Sequence, residues 1–420
     1  MTAAFGLGLL VLALLASHQP IVLLLIAASS YIHLVWGDGD LTYLIDDMWT
    51  AISHESLLAI PMFILAGALM TRGSIARRLI TIMRAATQWL PGGLAVACIL
   101  SCAIFAAISG ASAVTMLAVG SVMYPALIAD GYKKGFALGA IASGGTLGII
   151  IPPSIPMVLF AIVTEKSIVD MFVAGLVPGI LLALVMCGYA LIVNRNIAAK
   201  PFSLAELGAA LRQGIWALML PVVLLGGIYT GYFSATEAAA VAVGYALLVE
   251  IFIHRELGPK DFAQTAQETA VLLGSLFPIV AVALSLNLLL TAERVPQELA
   301  AWVAGVVESR ITFLLFVNLL LLAVGCFVDT MSALLVLAPI LLPMAEVFGI
   351  DPIHFGIIMV VNLEIGMLTP PMGLNLIVAM TAFKTGFGTV IRGSAPFILL
   401  MIGVLMLVTY LPAISLSLVR

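Results

Sequence analysis

The sequence predicts an all-α polytopic membrane protein built from inverted repeats, with two re-entrant helical hairpins and two helices unwound at membrane depth. Three observations carry this prediction. The 420 residues are 63% hydrophobic and only 9% charged, too little charge to cover a soluble surface. Apolar stretches of span length recur from end to end, and a backbone in lipid must satisfy its own hydrogen bonds, so these stretches are helices. The proline and glycine punctuation of one half returns in the other at a fixed offset.

Spans are expected near 3–17, 20–36, 57–71, 136–163, 171–193, 213–232, 235–253, 266–291, 353–383 and 393–411. The first has the length of a signal peptide core. No basic segment precedes it and a second apolar run follows at once, so it is read as a retained span. Around 37–56, Trp36, Leu41, Leu44, Ile45, Met48, Trp49 and Ile52 recur at mixed three and four spacing, as in a helix lying in the interface. Segment 72–90 carries Arg72, Arg77, Arg78 and Arg84 and suits a helix at the cytoplasmic surface.

Segments 91–130 and 311–348 differ from the plain spans. Each is about two short helices long. The breaks are Ser109-Gly110-Ala111-Ser112 and Phe327-Val328-Asp329-Thr330. Irregular backbone at membrane depth is tolerated only where it is buried in protein or lines a cavity. Both segments are therefore expected to be re-entrant hairpins.

Orientation follows from the basic residues. With 72–90 in the cytoplasm, 13 of the 17 Lys and Arg fall inside, leaving Lys166, Arg294, Arg310 and Arg420 outside. The positive-inside rule selects this orientation. Both termini then face the periplasm, and the two hairpins open from opposite sides.

The offset between the repeats is 218 residues. Pro125 falls on Pro343, Gly131 on Gly349, Gly148 on Gly366, Pro152-Pro153 on Pro370-Pro371, Gly175 on Gly393 and Pro178 on Pro396. That is seven coincidences where chance gives about 1.4, the mark of an internal repeat. The copies start on opposite sides, so the repeat is inverted. Inverted repeats with helices broken at matching positions mark secondary transporters, with the solute near the midplane.

Chemistry concentrates at the breaks. Proline removes a donor and unwinds the turn before it, so Pro152-Pro153 and Pro370-Pro371 free backbone carbonyls inside a span. Carbonyls beside Ser, Thr or Asn oxygens suit a hard cation. The candidate cation ligands are Ser109, Gly145, Thr146 and Gly148 in the first copy. In the second they are Asp329, Asn362, Gly366 and Thr369. The candidate solute contacts are Ser109, Gly110, Ser112, Pro153 and Ser154, with Thr330, Pro371 and Gly373 opposite. A plain proline kink explains one such break; the same spacing in both copies favours binding. Ser112 and Thr330 are repeat partners, each able to cap the helix that follows or to aim its N-terminus at an anion. Asp329 is an unpaired carboxylate at depth, either an N-cap or a neighbour of a cation. Glu364 faces the other repeat or a cavity, and Glu237 suits a first-turn role.

Other chemistry is excluded. No phosphate-binding loop or nucleotide fingerprint is present, so ATP-driven transport and a nucleic-acid partner are not expected. Cys98 and Cys102 share a helix face as packing residues. No intramembrane histidine reaches Ser109 or Ser112 by a repeatable spacing, which argues against a serine nucleophile.

These motifs carry a resemblance. Ile60 to Gly67, Ser109 to Ser112 with Pro125, Gly145 to Met157, Thr236 to Ala240, Pro339 to Pro343 and Asn362 to Gly373 run over nearly the whole chain. In them the chain resembles the large membrane subunit, the DctM-like permease, of tripartite ATP-independent periplasmic (TRAP) transporters. Ala111 stands where that family often has serine, which leaves the backbone to serve there.

The resemblance implies an elevator of the ion-transporter superfamily, not an enzyme. It implies scaffold spans with interfacial and arm helices in 1–90 and a first transport-domain repeat in 91–193. Scaffold spans with a second arm would follow in 194–310, and the second repeat in 311–420. It implies coupling to sodium ions and uptake, across a bacterial inner membrane, of a small organic anion such as a dicarboxylate, sialic acid or other sugar acid. The implied partners are a periplasmic solute-binding protein and a small four-span membrane subunit on a separate polypeptide. A stand-alone ion-coupled symporter of the same superfamily and a membrane-embedded enzyme are the competing expectations.

Overall fold

The computed structural model describes residues 6, 9–10, 13–14, 16–17, 19–35, 39–307 and 309–419. The expected first span, 3–17, lies largely outside the described residues. Among these, regular structure is helical throughout.

Helix α1 (Ile21–Val35) is the first long apolar helix described, and α2 (Thr42–Ile52) is the expected interfacial one. In α2, Leu44 and Ala51 turn inward while Ile45 and Trp49 are exposed. Helix α3 (Ala59–Arg72) leads through Gly73 into α4 (Ile75–Thr87). Helix α4, where a surface arm is expected, is amphipathic: Ile75, Leu79, Ile80 and Ile82 are buried, while Arg77, Thr81 and Arg84 are exposed.

The first hairpin is α5 (Gly93–Ser109) and α6 (Ser112–Ala129). Only Gly110 and Ala111 break the helix between them, and Gly110 turns the corner at φ +61°, a value that glycine adopts without strain. The expected span 136–163 is two helices, α7 (Lys134–Ile150) and α8 (Ile155–Val163), parted at the Pro152-Pro153 pair. Helices α9 (Ile168–Val193), α10 (Leu204–Tyr229) and α11 (Ala235–Leu247) follow, α11 running on through a π-turn at Leu248–Ile253. Glu237 sits in the first turn as the sequence predicts, and it also completes a capping box with Ser234, accepting from the Ser234 N–H at 2.8 Å.

After α12 (Pro259–Ala292) the pattern returns. Helix α13 (Val295–Val306) stands where the second arm is expected, and α14 (Arg310–Gly325) and α15 (Thr330–Val347) form the second helical hairpin. The broken pair is α16 (Pro352–Gly366) and α17 (Leu374–Ala382). Helices α18 (Phe387–Tyr410) and α19 (Ala413–Leu416) close the chain. Adding 218 to the ends of α6 gives Thr330 and Val347, the ends of α15. Arms, hairpins and broken helices all pair under this offset, so the repeat reaches further towards the N-terminus than the punctuation alone marks.

Helices α7 and α16 sit at the centre. Every residue of α7 from Phe136 and of α16 from Ile353 is buried. Glycine permits this density. A Cβ at Gly139 would lie 2.0 Å from the Gly393 carbonyl oxygen, so α7 and α18 meet backbone to backbone, the small-residue packing of membrane helices. Nine helical segments among the described residues are long and apolar enough to cross a bilayer.

Candidate solute and cation site at the hairpin tips

Each hairpin tip is joined to the broken helix of its own repeat. The Ile155 N–H donates to Gly110 O at 3.3 Å, and the Gly373 N–H donates to Cys326 O at 3.1 Å. Ile155 and Gly373 are partners under the 218 offset, so the repeat reproduces a tertiary contact as well as a sequence pattern.

The first tip gathers oxygens. Ser109 Oγ lies 2.6 Å from Thr115 Oγ1, which donates to Ala111 O at 3.0 Å. Helix α7 closes on them with glycines. A Cβ at Gly148 would stand 2.5 Å from Thr115 Oγ1, and one at Gly145 would stand 3.1 Å from Ser112 O. In the second tip, Asp329 Oδ1 accepts from the Met331 and Ser332 N–H groups at 3.1 and 3.0 Å, capping α15. Gly366 meets Gly325, with room for neither to carry a side chain.

A buried polar bridge connects the two tips. Asn375, near the start of α17, donates from Nδ2 to Glu364 Oε1 at 2.8 Å, and the same nitrogen lies 3.2 Å from Ser112 Oγ. Thr330 Oγ1 donates to Glu364 Oε2 at 3.2 Å. All four side chains are buried, Glu364 completely. In front of this bridge is a cavity of about 180 Å³. Ser109, Ser112, Asp329 and Thr330 line it from the tips, and Ile64 of α3 and Leu272 of α12 face them. Its remaining wall is apolar apart from backbone, and among the described residues no Lys, Arg or His side chain lines it.

Comparison with known proteins identifies the chain. The sequence profile described as "Tripartite ATP-independent periplasmic transporter, DctM component" matches residues 8–414. The chain belongs to that family. It is therefore a TRAP transporter large permease, a multi-pass inner-membrane transport protein and not an enzyme. It is 45% identical over 368 residues to the C4-dicarboxylate TRAP transporter large permease protein DctM of Pseudomonas aeruginosa, covering 87% of this chain and 86% of the relative. The protein of that name in Vibrio cholerae is 40% identical, covering 97% and 95%. The ectoine/5-hydroxyectoine TRAP transporter large permease protein UehC of Ruegeria pomeroyi is 36% identical, covering 100% and 98%. The solved YdaH transporter of Alcanivorax borkumensis shares the fold, with a TM-score of 0.63 at 15% identity, covering 92% and 91%.

In this permease the expected residues separate into groups. Ser109, Ser112, Asp329 and Thr330 reach the cavity, with Gly145 and Gly148 behind the first tip. Gly110, Pro153 and Ser154 are buried where the first break meets its tip. Thr146 turns instead to α18, donating to Ser143 O at 2.5 Å and lying 4.0 Å from Met401 Sδ. Asn362 turns to α14, donating to Asn318 Oδ1 at 2.6 Å. Thr369 donates to Ile365 O at 2.8 Å. Gly366 packs on Gly325, Gly373 bonds the tip through its N–H, and Pro371 is exposed.

One expectation is corrected. Ser112 and Thr330 do not cap the helices that follow; Ala111 and Asp329 hold those positions. The two hydroxyls are one residue further in and bond across to Asn375 and Glu364.

Thr115 and Asn375 escaped the sequence reading. Each is a polar residue inside an apolar helix, two or three positions past a motif already marked. The donor set suits a hard cation. It is all oxygen, and three buried atoms near the tips and broken helices, Ser154 Oγ, Ser332 Oγ and Asn362 Oδ1, have no hydrogen-bond partner among the described residues.

Proposed function

We propose that this permease takes up a small organic anion by a sodium-coupled elevator movement of its repeats, with solute delivered by a periplasmic binding protein. The observation that supports this best is the cavity itself. Both tips meet there, and no basic side chain among the described residues lines it. An anion held at this depth needs its charge offset. The N-termini of α6 and α15 supply partial positive charge, and sodium supplies the rest. Ser109, Thr115, Ala111 O and the α7 backbone at Gly145 and Gly148 would hold one ion. Asp329 and the α16 break from Gly366 would hold the other. Sodium in this role contributes fixed positive charge beside the solute and makes entry depend on its gradient.

The solute class proposed is a carboxylate of C4-dicarboxylate size, because the relatives of highest identity reported above carry that name. The hairpins are taken to be re-entrant, opening to opposite sides, since their tips are buried beside the breaks. The partners are a four-span membrane subunit and the binding protein. The apolar outward face of α2, with Trp49 74% exposed, offers the subunit a surface.

The test is uptake into liposomes. Labelled succinate should accumulate only with both partners present and an inward sodium gradient. Uptake by this chain alone would favour the stand-alone symporter. Uptake with both partners but no sodium dependence would remove the coupling.

A further inference from the structure

Glu364 has no role in the function proposed above, yet it is the most deeply buried charge beside the cavity. It has no exposure and no ion pair with a basic residue of the chain among the described residues. Each of its oxygens takes one donor, Oε1 from the Asn375 amide and Oε2 from the Thr330 hydroxyl. As the carboxylate, Glu364 accepts at both oxygens and cannot donate.

This has a directional consequence. Thr330 has one hydroxyl hydrogen. Its polar neighbours are Glu364 Oε2, behind the tip at 3.2 Å, and Met367 Sδ, of a residue that itself lines the cavity, at 2.9 Å. A carboxylate is a far stronger acceptor than a thioether, so an ionised Glu364 draws the hydrogen away from the cavity. Thr330 lines the cavity and presents lone pairs to it. A hydroxyl with its hydrogen engaged elsewhere is an acceptor, suited to a cation and not to a carboxylate. The same carboxylate also fixes the Asn375 amide, whose nitrogen must face it, and that amide is the contact to Ser112 of the first tip.

We propose that Glu364 is a positioning residue for cation binding: it orients the Thr330 hydroxyl and, through Asn375, ties the two hairpin tips together. The inference rests on the sodium-coupled reading above. The repeat supports the assignment by contrast. Glu364 falls on Thr146 under the 218 offset and Asn375 falls on Met157, so the first copy has no such device and the bridge belongs to the second tip alone.

The test uses the full chain purified in detergent, with melting temperature followed as sodium chloride replaces choline chloride. Wild type should gain stability with sodium. E364Q keeps the shape, but its amide donates toward Thr330 and frees that hydroxyl to point into the cavity. Its sodium half-saturation should rise about tenfold while its melting temperature in choline stays near wild type. T330V should shift half-saturation to the same extent, T330S should not, and E364Q combined with T330V should go no further than either alone, because both remove one interaction. A merely structural carboxylate would lower the choline melting temperature and leave half-saturation alone. E364Q titrating like wild type, or T330V doing so if E364Q fails to fold, overturns the inference and leaves sodium coupling standing. A wild type that ignores sodium overturns both.

Discussion

Asp329 shows how one side chain serves two demands. Its Oδ1 caps α15 with two N–H contacts, and the residue also lines the cavity. Asn caps about as well as Asp, so D329N separates the roles. Melting temperature should hold to within about 0.5 kcal/mol of stability, while sodium-driven uptake should need more sodium. Wild-type sodium dependence in the variant would leave capping as the whole account.

Glycine gives a second residue-level test. A Cβ at Gly366 would lie 2.6 Å from the Gly325 backbone, whereas one at Gly188 meets nothing within 4 Å. Overpacking against rigid backbone costs about 1–3 kcal/mol, so G366A should melt lower and lose uptake, while G188A should do neither. Thermal melts of the pair decide this. Gly366 is legible in the sequence as repeat punctuation. Its partner Gly325 is not among the repeat coincidences and becomes visible only when α14 is laid on α16.

Among the elements, arm α4 has the most unusual anchorage. Its first N–H groups are satisfied from another helix. Glu250, in the π-turn after α11 and with no exposure, accepts from the Ser74 and Ile75 N–H groups at 2.8 Å each. Gly73 is required there, since a Cβ would fall 2.3 Å from the Glu250 carboxyl carbon. His254 joins the cluster through Ser74 Oγ at 2.9 Å. Burial, aided by the Arg78 guanidinium, holds the His254 pKa below its ordinary 6.5. The folded state therefore prefers the neutral ring. Its contribution is complete above pH 6.5 and is lost as pH falls through the lowered folded value. Melting temperature should decline on that acid limb, and H254Q should flatten the decline. An unchanged limb in H254Q would assign it to other groups. Sequence alone marks α4 as a surface arm by its arginines. Its cap comes from a glutamate far along the chain, which no local pattern reveals.

For the whole molecule the property to test is the opposed orientation that the basic residues predict for the two halves. The positive-inside count predicts Lys166 outside and Arg195 inside, just beyond the two ends of α9. All four native cysteines are buried, so an introduced cysteine reports with little background. K166C should react with an impermeant maleimide added to intact spheroplasts. R195C should react only after the membrane is opened. The reverse pattern would invert the topology and with it the direction in which each hairpin opens.

The sequence by itself determined what depends on local chemistry and on counting. Lipid forces helices from apolar runs, the Pro-Pro pairs interrupt two of them, small residues break the hairpins, and the 218 offset makes the halves equivalent. These follow from residues near one another in the chain or from a period along it. The tertiary structure decided which polar groups share a site. Thr146 and Asn362 belong to the marked motifs yet turn to α18 and α14. Glu364, Asn375 and Thr330, from three helices, meet Ser112 of the other repeat. On a helix buried on all sides, periodicity does not say which neighbour a polar side chain faces. The rotation of α7 and α16 within the bundle settles that, and it is set by glycine contacts between distant segments.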